Sequence, residues 1–154
     1  MAMHAFTATT VVRAPRGEVW ARVTTPVGIN DEMMPVMSMT MPAAHRGQEL
    51  SSVPVGVPLG RAWIRLLGVL PVDFDALTVA EVETGSHFRE RSWMLSMRRW
   101  EHDRVLTDVP GGTRVTDHVG FEPRLPVVHL LLARVLPVFF AHRHRRLRRY
   151  FHGA

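Results

Sequence analysis

From residue 4 to residue 14 the side chains alternate, with Phe6, Ala8, Thr10 and Val12 on one side and Thr7, Thr9, Val11 and Arg13 on the other. A period of two predicts a strand. Pro15 stops it and suits the first turn of a helix. Val19, Trp20 and Val23 then recur at helical spacing, so a short amphipathic helix is expected over 16–25, ended by Pro26. A second brief helix is predicted near Ile29–Met33, followed by Met-rich alternation at Val36–Met41. Residues 42–60 hold three prolines and three glycines, the composition of a long loop or an irregular edge. Strand-like runs follow at Arg61–Leu67, Val72–Glu83, His87–Trp93, Arg98–Thr107 and Thr113–Glu122. Connections as short as Glu83-Thr-Gly-Ser86 imply an antiparallel meander. From Leu125 to the end the period becomes helical, and Val128, Leu131, Leu132, Val135 and Phe139 form an apolar stripe. Pro137 lies inside it. An interior proline costs about 3 kcal/mol and kinks a helix, which would let this one bend over a curved sheet. The order describes a single α+β domain over residues 1–154, without internal repeats.

One hairpin can be registered residue by residue. Val109-Pro110-Gly111-Gly112 is its turn. If Asp108 faces Thr113, one face pairs Leu106 with Val115, Arg104 with Asp117, His102 with Val119 and Trp100 with Phe121. The other pairs Thr107 with Arg114, Val105 with Thr116, Asp103 with His118 and Arg99 with Glu122. Opposite charges meet three times and like charges never. Each such pair contributes only about 0.2–1 kcal/mol, but their agreement selects this register over a one-residue slip. The apolar face, with Trp100, Phe121, Val119, Val115 and Leu106, is expected to point inward and to carry His102, Arg104 and Asp117 with it.

These segments also carry a resemblance. Arg99-Trp-Glu-His-Asp-Arg104, Gly112-Thr-Arg-Val-Thr-Asp117 and Phe121-Glu-Pro123 resemble the polyketide cyclase/SRPBCC group of the START-like (Bet v 1-like) superfamily. Ala14-Pro15 and Glu18-Val-Trp20 after the first strand are similar to that group's opening. The likeness extends over nearly the whole chain. It implies a helix-grip fold: a curved antiparallel sheet wrapped around a long C-terminal helix, with two short helices after the first strand and an apolar cavity inside. Members include lipid carriers, aromatic polyketide cyclases and plant hormone receptors. Members with a similar Trp-x-His hairpin often have Gly-Pro just before it, where this chain has Met94-Leu-Ser-Met97.

Composition narrows the chemistry. The chain has no cysteine, which excludes disulfides, thiolate metal sites and a cysteine nucleophile. The formal charge is +5 and every basic side chain other than histidine is arginine, a bias expected of a GC-rich bacterial genome. Much of the charge sits in His142–Arg149, where a solvated helix end favoured by the helix dipole is expected. Docking of this tail to an acidic partner or anionic membrane is the weaker alternative. No specific nucleic-acid partner is expected, because a nucleic-acid binder shows a wider basic face. The start, Met1-Ala2-Met3-His4-Ala5-Phe6, lacks a leader's pattern. Val127 to Ala141, broken by His129, Arg134 and Pro137, falls short of the ~20 residues of a spanning helix. A cytoplasmic monomer or homodimer without a transmembrane segment is therefore expected.

His102, Arg104 and Asp117 are the candidate catalytic or anchoring residues, since an inward Arg–Asp pair is expensive unless it serves a purpose. It would hold either a ligand's carboxylate or carbonyl oxygen, or merely the strand register. Trp63, Trp93, Trp100, Phe121, Met37 and Met39 are expected to line the pocket beside them, with Met33 and Met41 nearby. No metal motif is present: His142 and His144 are two apart and so lie on different helix faces. No cofactor is implied. A small lipophilic or aromatic ligand carried in a cavity is the first expectation. Cyclase-type aldol closure and dehydration, with the arginine stabilising an enolate and His102 or Asp117 moving protons, is the alternative.

Overall fold

The structure, a computed structural model, describes residues 3–152. Met1 and Ala2 of the opening stretch, and Gly153 and Ala154 of the predicted helix, lie outside the described residues. Strand β1 (His4–Val12) leads into helices α1 (Arg16–Val23) and α2 (Pro26–Met33), then β2 (Met37–Met39) and a 3-10 turn at Ala43–His45. Strands β3 (Gly60–Leu66), β4 (Leu70–Leu77), β5 (Val79–Glu83), β6 (His87–Met94), β7 (Met97–Val109) and β8 (Gly112–Pro123) follow. A second 3-10 turn at Pro126–Val128 opens onto the long helix α3 (His129–His152). The antiparallel sheet runs β1-β8-β7-β6-β4-β3-β2, with β5 also paired to β6, and curls into a half-barrel around α3. This is the helix-grip arrangement.

Pro26, expected to end the first helix, instead opens the second. Thr25 caps α2 by accepting a hydrogen bond from the Gly28 N–H at 3.1 Å, and the proline occupies the first turn, where its missing N–H costs nothing. Val72–Glu83 is not one strand. It breaks at Thr78, whose N–H donates to Ser92 Oγ and whose carbonyl accepts from the Arg91 N–H. Strand β6 thus serves both halves, and the break lets the sheet bend.

The β7–β8 register is the one the hairpin implied, from Asp108 opposite Thr113 to Arg99 opposite Glu122. Leu106, Val115, Val119 and Phe121 are buried on its inner face. Of the three charge matches, however, only Arg104–Asp117 makes contact. Asp103 bonds Arg89 (2.6 Å) and His87 (3.1 Å) on β6, while His118 bonds Thr7 on β1 (3.1 Å). Each central-strand residue has a neighbour on both sides, and a hairpin considered alone shows one of them.

Helix α3 runs through Pro137, and its buried side chains are Phe140, Arg143, His144 and Leu147. The expected stripe holds only in part: Leu132 and Phe139 line the cavity, but Leu131 and Val135 are exposed, as are Leu130 and Val138. Apolar periodicity misplaces this face because two of the residues it turns inward are an arginine and a histidine. The 27-residue stretch Pro126–His152 is long and apolar enough, by those measures alone, to cross a membrane. Here it lies against the sheet, with 17% of its most apolar window buried.

The two glycines of the β7–β8 turn differ in what they permit. Gly111 has a φ of +81° and open space around it, whereas a Cβ on Gly112 would lie 2.0 Å from the carbonyl oxygen of Val12. Gly111→Ala is therefore expected to cost about 1–2 kcal/mol of left-handed strain. Gly112→Ala should cost more, because the end of β1 must move off β8. Thermal unfolding of the two variants checks the order, and the reverse order rejects the close approach.

Candidate functional site

Asp117 lies at the centre of the inner face, fully buried, and its carboxylate accepts four hydrogen bonds. Arg104 donates two of them, Nε to Oδ1 and Nη2 to Oδ2, both at 2.7 Å. His102 Nε2 lies 2.7 Å from Oδ1, and His144 Nε2 lies 2.6 Å from Oδ2. A carboxylate only accepts, so both rings carry their proton on Nε2. The third guanidinium nitrogen of Arg104 donates to Glu32 Oε2 at 2.8 Å, and Glu32 Oε1 in turn receives Arg143 at 3.3 Å. Strands β7 and β8 and helices α2 and α3 meet in this one network.

Its charges sustain one another. Burial pushes the Asp117 carboxyl upward, but the Arg104 charge and the hydrogen bonds from Arg104 and His102 outweigh it and hold the group well below the usual carboxylate range. Burial likewise disfavours the Arg104 cation, and Asp117 and Glu32 reverse that, so its pKa stands above the ordinary arginine value. Arg143 moves the other way: burial, aided by repulsion from Arg104, exceeds what Glu32 returns.

Beside the network, between the sheet and α3, lies a cavity of about 350 Å³. Its walls are mainly apolar: Met33, Met37 and Met39 come from α2 and β2, Leu77 and Phe88 from the sheet, and Leu132, Leu136, Phe139 and Phe140 from α3. Trp100 and His102 reach it from β7. The His102 ring is held by the edges of Phe88 (5.8 Å) and Phe140 (5.3 Å).

Among the residues singled out from sequence, Met33, Met37, Met39, Trp100 and His102 thus come together at the cavity. Arg104, Asp117 and Phe121 are buried behind its wall. Trp63 and Trp93 lie half exposed against Phe74 on the other side of the sheet, with Arg61 over Phe74 and Arg124 near Trp93, and Met41 is core. The basic run is not uniformly solvated. Arg143 and His144 turn inward, Arg146 bonds Asp31, Arg148 bonds Thr10, and Arg145 and Arg149 remain exposed.

Three acids not singled out from the sequence also line the cavity, Asp73 and Asp75 on β4 and Glu90 on β6. Alternation in Val72-Asp-Phe-Asp-Ala-Leu77 points the apolar Val72, Phe74 and Ala76 inward. Val72, in the β3–β4 bulge, does reach the cavity, but beyond it Asp75 and Leu77 face inward while Phe74 lies on the opposite face under the two tryptophans. A signal for Glu90 did exist: it pairs with His102, so extending the hairpin register by one strand puts it on the inner face. Asp75 is held well above the ordinary carboxylate range, by burial first and then by its interaction with the nearby Glu90. Glu32 and His144 were also missed, since neither is near the hairpin in sequence. No group of three or more His, Asp or Glu side chains able to hold a metal is found among the described residues.

A curled sheet gripping one helix over an apolar cavity is the START-like (Bet v 1-like) fold, and solved structures share it. Similar folds include a START superfamily protein from Mycobacterium smegmatis, with TM-score 0.71 and 12% identity over 97% of this chain and 98% of that one. The Zhui aromatase/cyclase from Streptomyces sp. R1128 has TM-score 0.70 and 12% identity over 98% and 94%. Protein CV1439 from Chromobacterium violaceum has TM-score 0.72 and 11% identity over 96% of each chain. At such identities the likeness is one of fold. Within this fold the chain belongs to the family described as Domain of unknown function (DUF8410), whose model matches residues 10–151. No curated protein matches it in sequence.

Removing one partner of the buried pair should cost about 3–5 kcal/mol, because the other charge stays buried. A double-mutant cycle of Arg104→Met and Asp117→Asn in denaturant unfolding is expected to show strong coupling; additive effects would mean that the two do not share one site. The depressed Asp117 contributes stability above its unfolded value of about 3.9, and that stability is lost as pH falls through the lower folded value. Asp75 has the opposite sign. Its folded pKa is raised, so its stability contribution is full below about pH 4 and declines as pH rises through the folded value. Asp75→Asn should therefore stabilise the protein at pH 7 and do nothing near pH 4. A loss of stability at pH 7 would contradict the burial of an unpaired acid there.

Proposed function

We propose that the protein binds a small lipophilic or aromatic molecule in the cavity between the sheet and α3. The observation carrying this reading is the cavity itself, about 350 Å³ with mainly apolar walls and a few polar groups converging on it. Ligand sites of small molecules have this size and character. Each square ångström of apolar ligand surface removed from water contributes about 25 cal/mol, so affinity should rest on shape and area. Among the three expected anchoring residues, His102 offers its ring to the ligand, with Asp117 and Arg104 behind it orienting that ring.

A second reading is an enzyme of the cyclase type. What favours it is a histidine facing the cavity with a buried carboxylate behind it, the arrangement of a proton-transferring imidazole. In a carrier, His102→Ala should weaken binding only modestly, since most contact area survives. In a cyclase the same change should leave binding similar and cut turnover by roughly 10²–10⁴-fold. Chromatography of aromatic polyketides incubated with wild type and variant separates the two.

Binding itself is read from tryptophan fluorescence. Trp100 lines the cavity, while Trp63 and Trp93 stand on the far side of the sheet. Titration with fatty alcohols, fatty acids, flavonoids and aromatic polyketides should give saturable quenching. Trp100→Phe should remove most of it, leaving at most a remainder from Trp20, which packs against the cavity residue Phe88 at 6.2 Å, and Trp63→Phe or Trp93→Phe should leave it intact. If no lipophilic compound quenches saturably, the cavity is not a ligand site.

A further inference from the structure

Asp75 and Glu90 form a second polar centre on the cavity wall, separate from the Asp117 network. Asp75 on β4 is opposite Met94 of β6, and Glu90 lies four residues back on the same face of β6, across from Val79; both side chains line the cavity. Asp75 is 3% exposed and Glu90 8%, yet Asp75 Oδ1 and Glu90 Oε2 have no hydrogen-bond partner. No arginine or histidine bonds either carboxyl among the described residues. In the network, by contrast, two guanidiniums offset two carboxylates: Arg104 and Arg143 against Asp117 and Glu32.

An unpartnered buried polar group costs about 1–3 kcal/mol, and more when charged. A buried acid reduces that cost by staying protonated, and burial with the nearby Glu90 charge holds Asp75 toward its neutral form. The two carboxyls leave acceptor positions unused, Asp75 Oδ1 and Glu90 Oε2 among them. Nothing else at the cavity neutralises them, since Arg143 is committed to Glu32 and His102 Nε2 to Asp117.

We propose that Asp75 and Glu90 bind the polar end of the cavity's ligand, and that this end is a proton donor, a hydroxyl or an amine, on an apolar frame. This rests on the cavity being a ligand site. An ammonium matches the charge of the pair directly. A hydroxyl donates to a carboxylate oxygen and can accept a hydrogen bond from a protonated carboxyl beside it. A carboxylate brings a further negative charge and no donor, so the wall selects against it. The polar selectivity of the cavity is then opposite to that expected from an arginine anchor.

The test uses the full chain and three ligands that differ only at the polar end: dodecylamine, dodecanol and dodecanoate. Binding is followed by quenching of Trp100 and by calorimetry. The wild type should prefer the amine and the alcohol over the carboxylate by about 10- to 100-fold, the scale of hydrogen bonds to a charged group. The double variant Asp75→Asn/Glu90→Gln keeps the shape and removes the charge, so that preference should collapse while binding of the chain persists. The amine loses more than the alcohol if charge carries the recognition, and the two lose equally if the hydrogen bond does. Should the double variant not fold, Asp75→Asn and Glu90→Gln separately carry the same comparison. Equal binding of all three ligands, a preference for dodecanoate, or a preference that survives the substitutions overturns the carboxyl pair as anchor while leaving the cavity as a binding site. Saturable binding of none of them overturns both.

Discussion

The structure depends on one carboxylate. Asp117 is out of reach of water and holds four donors, two from Arg104 and one each from His102 and His144. Burying a charge in this way is favourable only when every lone pair is used and the counter-charges are held in place. That requirement reaches across the molecule: Arg104 must also satisfy Glu32 on α2, and Glu32 must also satisfy Arg143 on α3. A shift of α3 along the sheet would break His144 from Asp117 and Arg143 from Glu32 together. The helix has one seat, and the cavity beneath it takes its dimensions from that seat.

A closed network has a consequence for chemistry. Because its two guanidiniums and two carboxylates offset one another and neither Arg104 nor Asp117 lines the cavity, those two act behind the wall rather than on it. The titratable groups that line the cavity are His102, Asp73, Asp75, Glu90 and Arg143. Asp73 is bonded to Ser96, and His102 and Arg143 belong to the network. What remains uncommitted in an otherwise apolar chamber is the Asp75–Glu90 pair. Folds of this kind host unrelated functions, so it is these wall residues that carry information about the ligand.

The hairpin register, the placement of His102, Arg104 and Asp117 on the inner face and the closing helix were all legible in the sequence. The reason is that they rest on local patterns: a Pro-Gly-Gly turn, alternation either side of it, and a helical period after residue 125. The actual partners of the outward charges were not legible. Asp103 and His118 face each other in the hairpin, but each finds its contact on the strand beyond. Trp63 and Trp93 illustrate the same limit. As large apolar residues they belong by pattern inside, yet the strands carrying them present that face outward, and they shelter Phe74 instead.

The sequence by itself determined most of the elements, their order and the register of the central hairpin, because these follow from periodicity and turn chemistry over a few residues; the break at Thr78 was not among them. Only the tertiary structure decided which side of β4 faces the cavity, which face of α3 is buried, and where Glu32, Arg143 and His144 go. Those outcomes depend on contacts between segments 27 to 111 positions apart, such as His144 to Asp117 and Arg143 to Glu32. A buried arginine or a buried acid also defies the apolar pattern from which inner faces are read. Its place is stabilised by a specific partner, and the partner is found only once the chain has folded back upon itself.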